Sequence, residues 1–496
     1  LELILISALV LIIYINSLGN QFVSDDIGAI LQNPQIKSVE YLFNPIWGFA
    51  NQIHYFVLSN VFGPSPLAFR FLNILFHMGN SILIFFLLKA FYGKRVALFG
   101  SVIFASHPVF VESVTWISGG PYARYTFFFL ASFLFYLKRN LHKRFYAVSI
   151  LLFFICLQIN EKAIPLWLLF PFFEYFQKSL LKNWKLLVPY FVLSLIYTAI
   201  HFGRLSLRRE GLAQDYQQES LGLDNPLVQI PIAISEYLKL LIWPNNLTLY
   251  HTELNFSKEE FYIRAFITVV FISFSIIGFF KKRFFSFWFG WFLISLLVTL
   301  TPFRISWIVA ERYVYLGAIG IITVFSVVLN NAIIKFKIEN LYWSILTLLI
   351  IPLSILTVVR NADWKNQDSL WIATAKTSPT SSQNHNNLGD MYGRWGDLKM
   401  AILEFETAIK LKPNYADAYH NLANTYQQLE EYDKAIENYK KAIKFNPNLW
   451  QSYQNIGVIY YHKKNLVEAN KYFNDSLKIN PTNENLKKLV EEINNN

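Results

Sequence analysis

Charge and cysteine are both scarce in this sequence, and each scarcity excludes something. Only 16% of the 496 residues are charged, where a soluble globular chain carries roughly a quarter. With 54% hydrophobic and 18% aromatic residues, the composition reads as that of a polytopic membrane protein. The one cysteine, Cys156, lies inside the apolar run LLFFICLQI. It allows no disulfide framework and is expected to act as a small buried hydrophobe. Zinc-finger spacing and the aromatic-basic signature of RNA binding are absent, which sets nucleic acid aside as a partner. Motifs for tight metal binding are absent too, although paired acids can hold Mg²⁺ or Mn²⁺ weakly.

What charge there is sits unevenly. Residues 1–360 carry 28 Lys/Arg and 17 Asp/Glu, whereas residues 361–496 carry 16 of each. The basic excess therefore belongs to the apolar part, where it reports topology and phosphate handling. A spanning helix needs about 20 apolar residues. Candidates are roughly 1–17, 66–88, 95–107, 123–138, 145–160, 163–178, 185–202, 261–280, 284–302, 311–330 and 341–359. The first is read as a retained signal-anchor span. The stretch 226–243 holds Pro231, Glu236 and Lys239 and reads as a helix lying at the interface. Placing the Lys/Arg-rich short loops such as KRNLHKR in the cytoplasm gives an all-α domain of about eleven spans, N-terminus inside and C-terminus outside.

The last quarter of the chain repeats itself. Pro379, Pro413, Pro447 and Pro481 are 34 residues apart. So are Gly389, Ala423 and Gly457; Tyr392, Tyr426 and Tyr460; Ala401, Ala435 and Ala469; and Phe405, Tyr439 and Phe473. This period and pattern are the tetratricopeptide (TPR) signature, an α-solenoid of paired helices. The expected organisation is a membrane domain over 1–360, a linker with a degenerate TPR helix over 361–381, three repeats over 382–483 and a polar capping helix over 484–496.

Charged groups at membrane depth are expensive and mark candidate sites. Asp25 and Asp26 stand side by side after the first apolar run, in NQFVSDDIGAI. His107 and Glu112 lie in ASHPVFVESVTWISGG, Glu161 and Lys162 in QINEKAIP, and Glu311 and Arg312 in AERYVYLGAIG. Arg204 opens the long loop after 203. The expected topology gathers all of them on one membrane face. A carboxylate there can deprotonate an incoming hydroxyl. Cations can hold a phosphate leaving group. Displacement at a sugar anomeric carbon, with polyprenyl phosphate leaving, would suit both. Plainer roles compete: a helix cap for one aspartate, a carbonyl partner for His107, structural ion pairs for Glu161–Lys162 and Glu311–Arg312, and simple solvation for Arg204.

Six stretches, followed by the TPRs, resemble one family: NSLGNQFVSDDIGAI, FRFLNILFHMGNSILIFFLL, ASHPVFVESVTWISG, EKAIPLWLLFPFFEY, YLKLLIWPNNLTL and ERYVYLGAIG. The family is that of the transmembrane-and-TPR-containing protein O-mannosyltransferases and their prokaryotic relatives, in the GT-C glycosyltransferase superfamily. The resemblance implies a sugar donor on polyprenyl (dolichyl or undecaprenyl) phosphate, used outside the cytoplasm with inversion. It puts Asp25 or Asp26, with Asp26 slightly favoured, in the role of base. His107, Glu112, Glu161, Lys162, Glu311 and Arg312 would line the site. It also implies a multi-pass protein of a prokaryotic plasma membrane or a eukaryotic endoplasmic reticulum, with the TPRs extracytoplasmic. The sequence departs from the family pattern in four places. The first loop lacks an arginine before the second apolar run, and Phe110 stands where a second histidine is usual. GGPYAR and LGAIG replace more usual runs.

Asn387, Asn421 and Asn455 recur at the same 34-residue period, on the helix-A face that lines a TPR groove. A carboxamide can both donate to and accept from a peptide backbone. With Asp390 and Asn424, these residues are candidates for holding a polypeptide acceptor; the competing role is packing between helices. The reading is an integral-membrane, polyprenyl-phosphate-dependent protein O-glycosyltransferase acting on Ser/Thr hydroxyls. Its rivals are a non-catalytic TPR scaffold for envelope or secretory proteins and a GT-C enzyme that modifies glycans or lipids.

Overall fold

The computed structural model describes all residues except 44–47, 216–225, 250, 252–256, 282, 284, 301–308 and 496. Among the described residues every regular element is helical. The chain divides into two compact units, Leu1–Leu370 and Trp371–Asn496.

In the first unit, the helix Pro66–Tyr92 packs against Glu2–Tyr14, Lys94–Ser106 and Pro121–Leu137. Pro66 opens it at a position where the missing N–H costs nothing. Gly93, at φ 81°, ends it. Aromatic rings fill much of the remaining core. Phe133 contacts Phe170, Phe287 and Trp291, and Phe170 stacks on Tyr190 at 4.0 Å between ring centres.

The eleven-span arrangement does not stand. Four described helices are long and apolar enough to cross a membrane: Pro66–Tyr92, Lys258–Phe280, Ala318–Lys335 and Glu339–Asp363. The number rises to six if two bent pairs are each one span: Lys94–Ser106 with Pro108–Val114 (53°), and Leu180–Leu186 with Val188–His201 (52°). Hydropathy along a chain counts apolar residues without distinguishing lipid contact from protein contact, and it runs through breaks. The expected span at 163–178 is a 3₁₀ turn, Glu161–Leu168, holding Pro165, followed by an eight-residue helix, Leu169–Phe176. Those at 123–138 and 145–160 are helices of 17 and 15 residues, Pro121–Leu137 and Lys143–Leu157. Most of the first of these is buried in protein. At the first and ninth candidates stand shorter apolar helices, Glu2–Ser17 and Phe285–Leu296; residues 284, 301 and 302 of the ninth lie outside the described residues. The inside-out orientation built on eleven crossings falls with them.

The second unit stacks helix pairs: Ser382–Arg394 with Leu398–Leu411, Ala416–Gln428 with Tyr432–Phe445, and Trp450–His462 with Leu466–Ile479. The helix Glu484–Asn495 packs on the last pair. Two glycines are there for want of space. A Cβ on Gly389 would lie 2.6 Å from the Phe405 ring, and one on Gly457 would lie 2.4 Å from Phe473. The turn between paired helices takes a left-handed residue each time, at Gly396, Glu430 and Lys464, again 34 apart.

Candidate functional site

The first loop separates the two adjacent aspartates. Asp25 is exposed, whereas Asp26 is wholly buried. Ser24, at φ 53°, turns the chain just before them. The Ser118 amide (2.8 Å) and hydroxyl (2.5 Å) both donate to Asp26 Oδ1. Among the described residues Oδ2 accepts one long bond, 3.3 Å, from the Val23 amide. Burial pushes the Asp26 carboxyl up from 3.8 to about 6, against the Ser118 and Val23 hydrogen bonds and the Arg70 charge, which pull it down.

Arg70, buried in the helix Pro66–Tyr92, fixes the backbone around that carboxylate. Its Nε donates to the Thr115 carbonyl (2.7 Å), and its two terminal nitrogens donate to Asn20 (2.6 Å) and Gln21 (2.9 Å). One guanidinium thus joins the start of the first loop to the strip 115–118.

The same strip carries the next part of the site. Trp116 lies under the Arg312 guanidinium at 5.3 Å. Trp116 and Ser118 are two residues apart, so their Cα atoms are separated by about 7 Å at most. Asp26 and Arg312 therefore bear on neighbouring points of one backbone. The Glu112 carboxylate holds Arg312 twice, accepting from its amide at 2.7 Å and pairing with its guanidinium. Tyr313 lies between Arg312 (5.0 Å) and the buried Lys162 ammonium (4.9 Å). Glu161, partly buried, precedes Lys162 on the 3₁₀ turn that Asn160 caps. Glu311 points elsewhere. Its Oε1 accepts from the Thr248 amide (2.5 Å), His251 (3.3 Å) and Arg360 (3.4 Å).

Two glycines bring this strip close. A Cβ on Gly119 would lie 2.0 Å from the Glu112 carbonyl oxygen, and one on Gly120 would lie 2.1 Å from Asn73 Oδ1. Just beyond, Arg124 is buried against the first-loop helix Phe49–Phe62. It reaches His54 at 2.5 Å, Asn51 at 2.7 Å and Asn73 at 3.3 Å. Burial and then the Arg124 charge hold His54 well below its usual range, so it faces the guanidinium as a neutral acceptor.

His107 is not part of the cluster chemistry. Its Nδ1 accepts from the Val109 amide (3.3 Å), and its Nε2 meets the Leu241 carbonyl (3.1 Å), which ties the His-Pro turn to the helix Pro226–Ile242. Arg204 lies on the helix Val188–Asp215, and its side chain is outside the described residues. Among the described residues, no three His, Cys, Asp or Glu side chains converge as metal ligands would.

Comparison with known proteins bears on both units. Residues 389–430 match the TPR repeat family, and 416–449 and 450–483 match the Tetratricopeptide repeat families. The chain is 24% identical over 450 residues to Protein O-mannosyl-transferase TMTC3 of Homo sapiens, covering 78% of this chain and 49% of that one. It is 24% identical over 454 residues to Protein O-mannosyl-transferase F38B6.6 of Caenorhabditis elegans, covering 83% and 62%. A shorter match, 31% over 182 residues, is to Protein O-mannosyl-transferase tmtc2 of Xenopus laevis, covering 33% and 22%. The chain is thus similar, at low identity, to proteins named protein O-mannosyl-transferases, and it carries TPR repeats at its C-terminal end. It spans about half the length of the human relative and 62% of the worm one.

Within the repeats, the asparagines bond one another. Asn421 Nδ2 donates to Asn386 (3.1 Å). Asn455 Nδ2 donates to Asn424 (3.0 Å) and to the Tyr439 hydroxyl (3.1 Å), and that hydroxyl donates to Asn424 (2.5 Å). The recurring positions thus knit successive repeats together. Asn387 is partly buried, and Asp390 is exposed beside Arg394.

Sequence reasoning passed over Arg70, Trp116, Ser118, Arg124, Arg360 and Trp364. For Arg70 the signal was present, since a lone arginine in FRFLNILF is a charge in an apolar run. Ser118 and the two tryptophans carry no such mark.

Proposed function

We propose that the chain is an integral-membrane glycosyltransferase that moves a sugar, mannose or a close relative, from polyprenyl phosphate to a Ser/Thr hydroxyl of a polypeptide. The observation that carries this reading is Asp26. It is a buried carboxylate pushed up to about 6, held firmly through one oxygen and lightly through the other. A base works best when its pKa lies near the working pH.

In the proposed reaction, Asp26 Oδ2 takes the proton of the acceptor hydroxyl. The hydroxyl oxygen forms a bond to the sugar C1 from the face opposite the phosphate. The C1–O bond to phosphate breaks, its electron pair leaves with the phosphate, and the configuration inverts. Arg312 and Lys162 would hold the departing phosphate. Glu112 keeps Arg312 in place, and Glu161 adjoins Lys162. The TPR unit would take the polypeptide acceptor through Asn387, Asn421 and Asn455, with Asp390 and Asn424 beside them. In two of these rungs, Asn421 and Asn455, the amide nitrogen is engaged within the unit, which leaves Oδ1 to accept from a peptide N–H.

The test is glycan analysis of exported proteins from cells carrying Asp26→Asn, with protein level matched to wild type. Loss of O-linked hexose supports the reading. An unchanged glycoprotein pattern overturns it.

A further inference from the structure

Beside the Asp26–Arg312 cluster, four buried polar atoms have no hydrogen-bond partner: the indole nitrogens of Trp116 and Trp364, Arg360 Nε and Glu311 Oε2. Their side chains form one continuous patch. Trp116 and Trp364 stack at 5.5 Å between centres with 25° between planes. The Arg360 guanidinium lies 5.8 Å from the Trp364 ring, and its NH2 reaches Glu311 Oε1 at 3.4 Å. All four residues are at least nine-tenths buried, with relative exposures of 4%, 0%, 5% and 0% in the order Trp116, Trp364, Arg360, Glu311.

Leaving one buried polar atom without a partner costs on the order of 1–3 kcal/mol. Such atoms in native proteins have an explanation, and four gathered in one patch are a place where a ligand could supply the missing partners. The chemistry of the four narrows its class. Three are N–H donors and one is a carboxylate oxygen, so the ligand must accept several hydrogen bonds and also donate one. A phosphodiester, the form a lipid-linked sugar donor takes, has no proton to offer the carboxylate near neutral pH and would be repelled by it. Hydroxyl groups do both. The ring faces are already taken, by each other and by Arg312 and Arg360. Recognition would therefore run through the indole edges, not through stacking on a sugar face.

We propose that Trp116, Trp364, Arg360 and Glu311 form a polyhydroxyl subsite that reads the hydroxyls of the transferred sugar. The proposal rests on the glycosyl-transfer reading above and adds to it the residues that select the sugar. Arg312 ties the subsite to the phosphate end, since it covers Trp116 while pairing with Glu112.

The experiment uses the purified full chain in lipid nanodiscs, a Ser/Thr-rich peptide acceptor and a panel of polyprenyl-phosphate hexoses. For the hexose transferred fastest, the 2-, 3-, 4- and 6-deoxy analogues follow. The readout is the kcat/KM ratio of parent to deoxy donor. A site built to bond a hydroxyl rejects the analogue that lacks it. Wild type is expected to disfavour at least one deoxy donor by about tenfold or more. Trp364→Phe keeps the stack and removes one donor, and Glu311→Gln keeps the shape and removes the charge. Each should collapse the ratio for one deoxy position towards one and leave the ratios for the other positions in place. Ratios unchanged in both variants, with or without a lowered Tm, overturn the subsite and leave the transferase reading standing; an ordered water filling the patch would give that result. Wild type that transfers no hexose overturns both.

Discussion

Ser118 bonds Asp26 Oδ1 twice, through its backbone amide at 2.8 Å and its hydroxyl at 2.5 Å. A carboxylate bound this way by one residue cannot turn without losing both bonds. Its second oxygen keeps capacity for a proton. Asp25, one residue away, is exposed. The two aspartates are neighbours in sequence and opposites in setting.

Substitution should separate them sharply. Asp26→Asn keeps the shape and removes the base, so turnover should fall by about 10²–10⁴. Asp25→Asn should leave turnover within about threefold of wild type. Steady-state transfer to a peptide acceptor, at matched folded protein, measures both. Equal loss in the two variants would move the base away from Asp26.

The acid limb of the pH–kcat/KM profile should fall near 6, where burial places the Asp26 carboxyl, with activity rising through that pH and level above it. Ser118→Ala removes a hydrogen bond that lowers this value, so its limb should move to higher pH. Stability runs the other way. A raised folded value means that the protein favours neutral Asp26. That contribution is complete below 3.8, is lost as pH rises through about 6, and is flat beyond. Its size is about 3 kcal/mol. Unfolding followed from pH 4 to 7 should show it in wild type and not in Asp26→Asn.

Arg70→Met should cost at least about 3 kcal/mol, because three backbone carbonyls lose their donor inside the protein. Arg70→Lys keeps the charge but cannot span all three carbonyls. It should fold better than Arg70→Met and still lose turnover. Thermal unfolding in detergent alongside transfer assays reads both. A Met variant as stable as wild type would remove Arg70 as the joint between the first loop and the strip 115–118.

Gly457→Ala should destabilise the TPR unit by about 1–3 kcal/mol, since the new methyl would lie 2.4 Å from Phe473. Phe473→Leu in the same chain should recover part of that loss. Protease sensitivity of residues 450–483 in the full chain gives the measurement, and additive losses in the double variant would contradict it.

The repeats were legible because one physical constraint recurs at fixed positions. A small residue faces an aromatic ring at Gly389 and Phe405 and again at Gly457 and Phe473. The left-handed turn was legible only at Gly396; Glu430 and Lys464 adopt the same conformation without a sequence mark. The number of crossings was misread, because Phe129 and Phe133 are as apolar as any lipid-facing residue and yet lie wholly inside the protein. The charged members of the candidate site stood out by residue type. The difference in setting between Asp25 and Asp26, which sequence left open, comes in part from a serine 92 residues away. Contacts of that range leave no local pattern.

Gly119 and Gly120 have a genetic consequence. Neither position has room for a methyl group, the first because of the Glu112 backbone and the second because of Asn73. Any inherited change at either would shift one stretch of backbone on which both Ser118 and Trp116 ride, and so would disturb the supports of Asp26 and Arg312 together. Substitutions at Asp26 and Arg312 should therefore be epistatic although the two side chains have separate partners, with a double variant that loses less than the sum of its parts. Drift at one of them relaxes selection on the other.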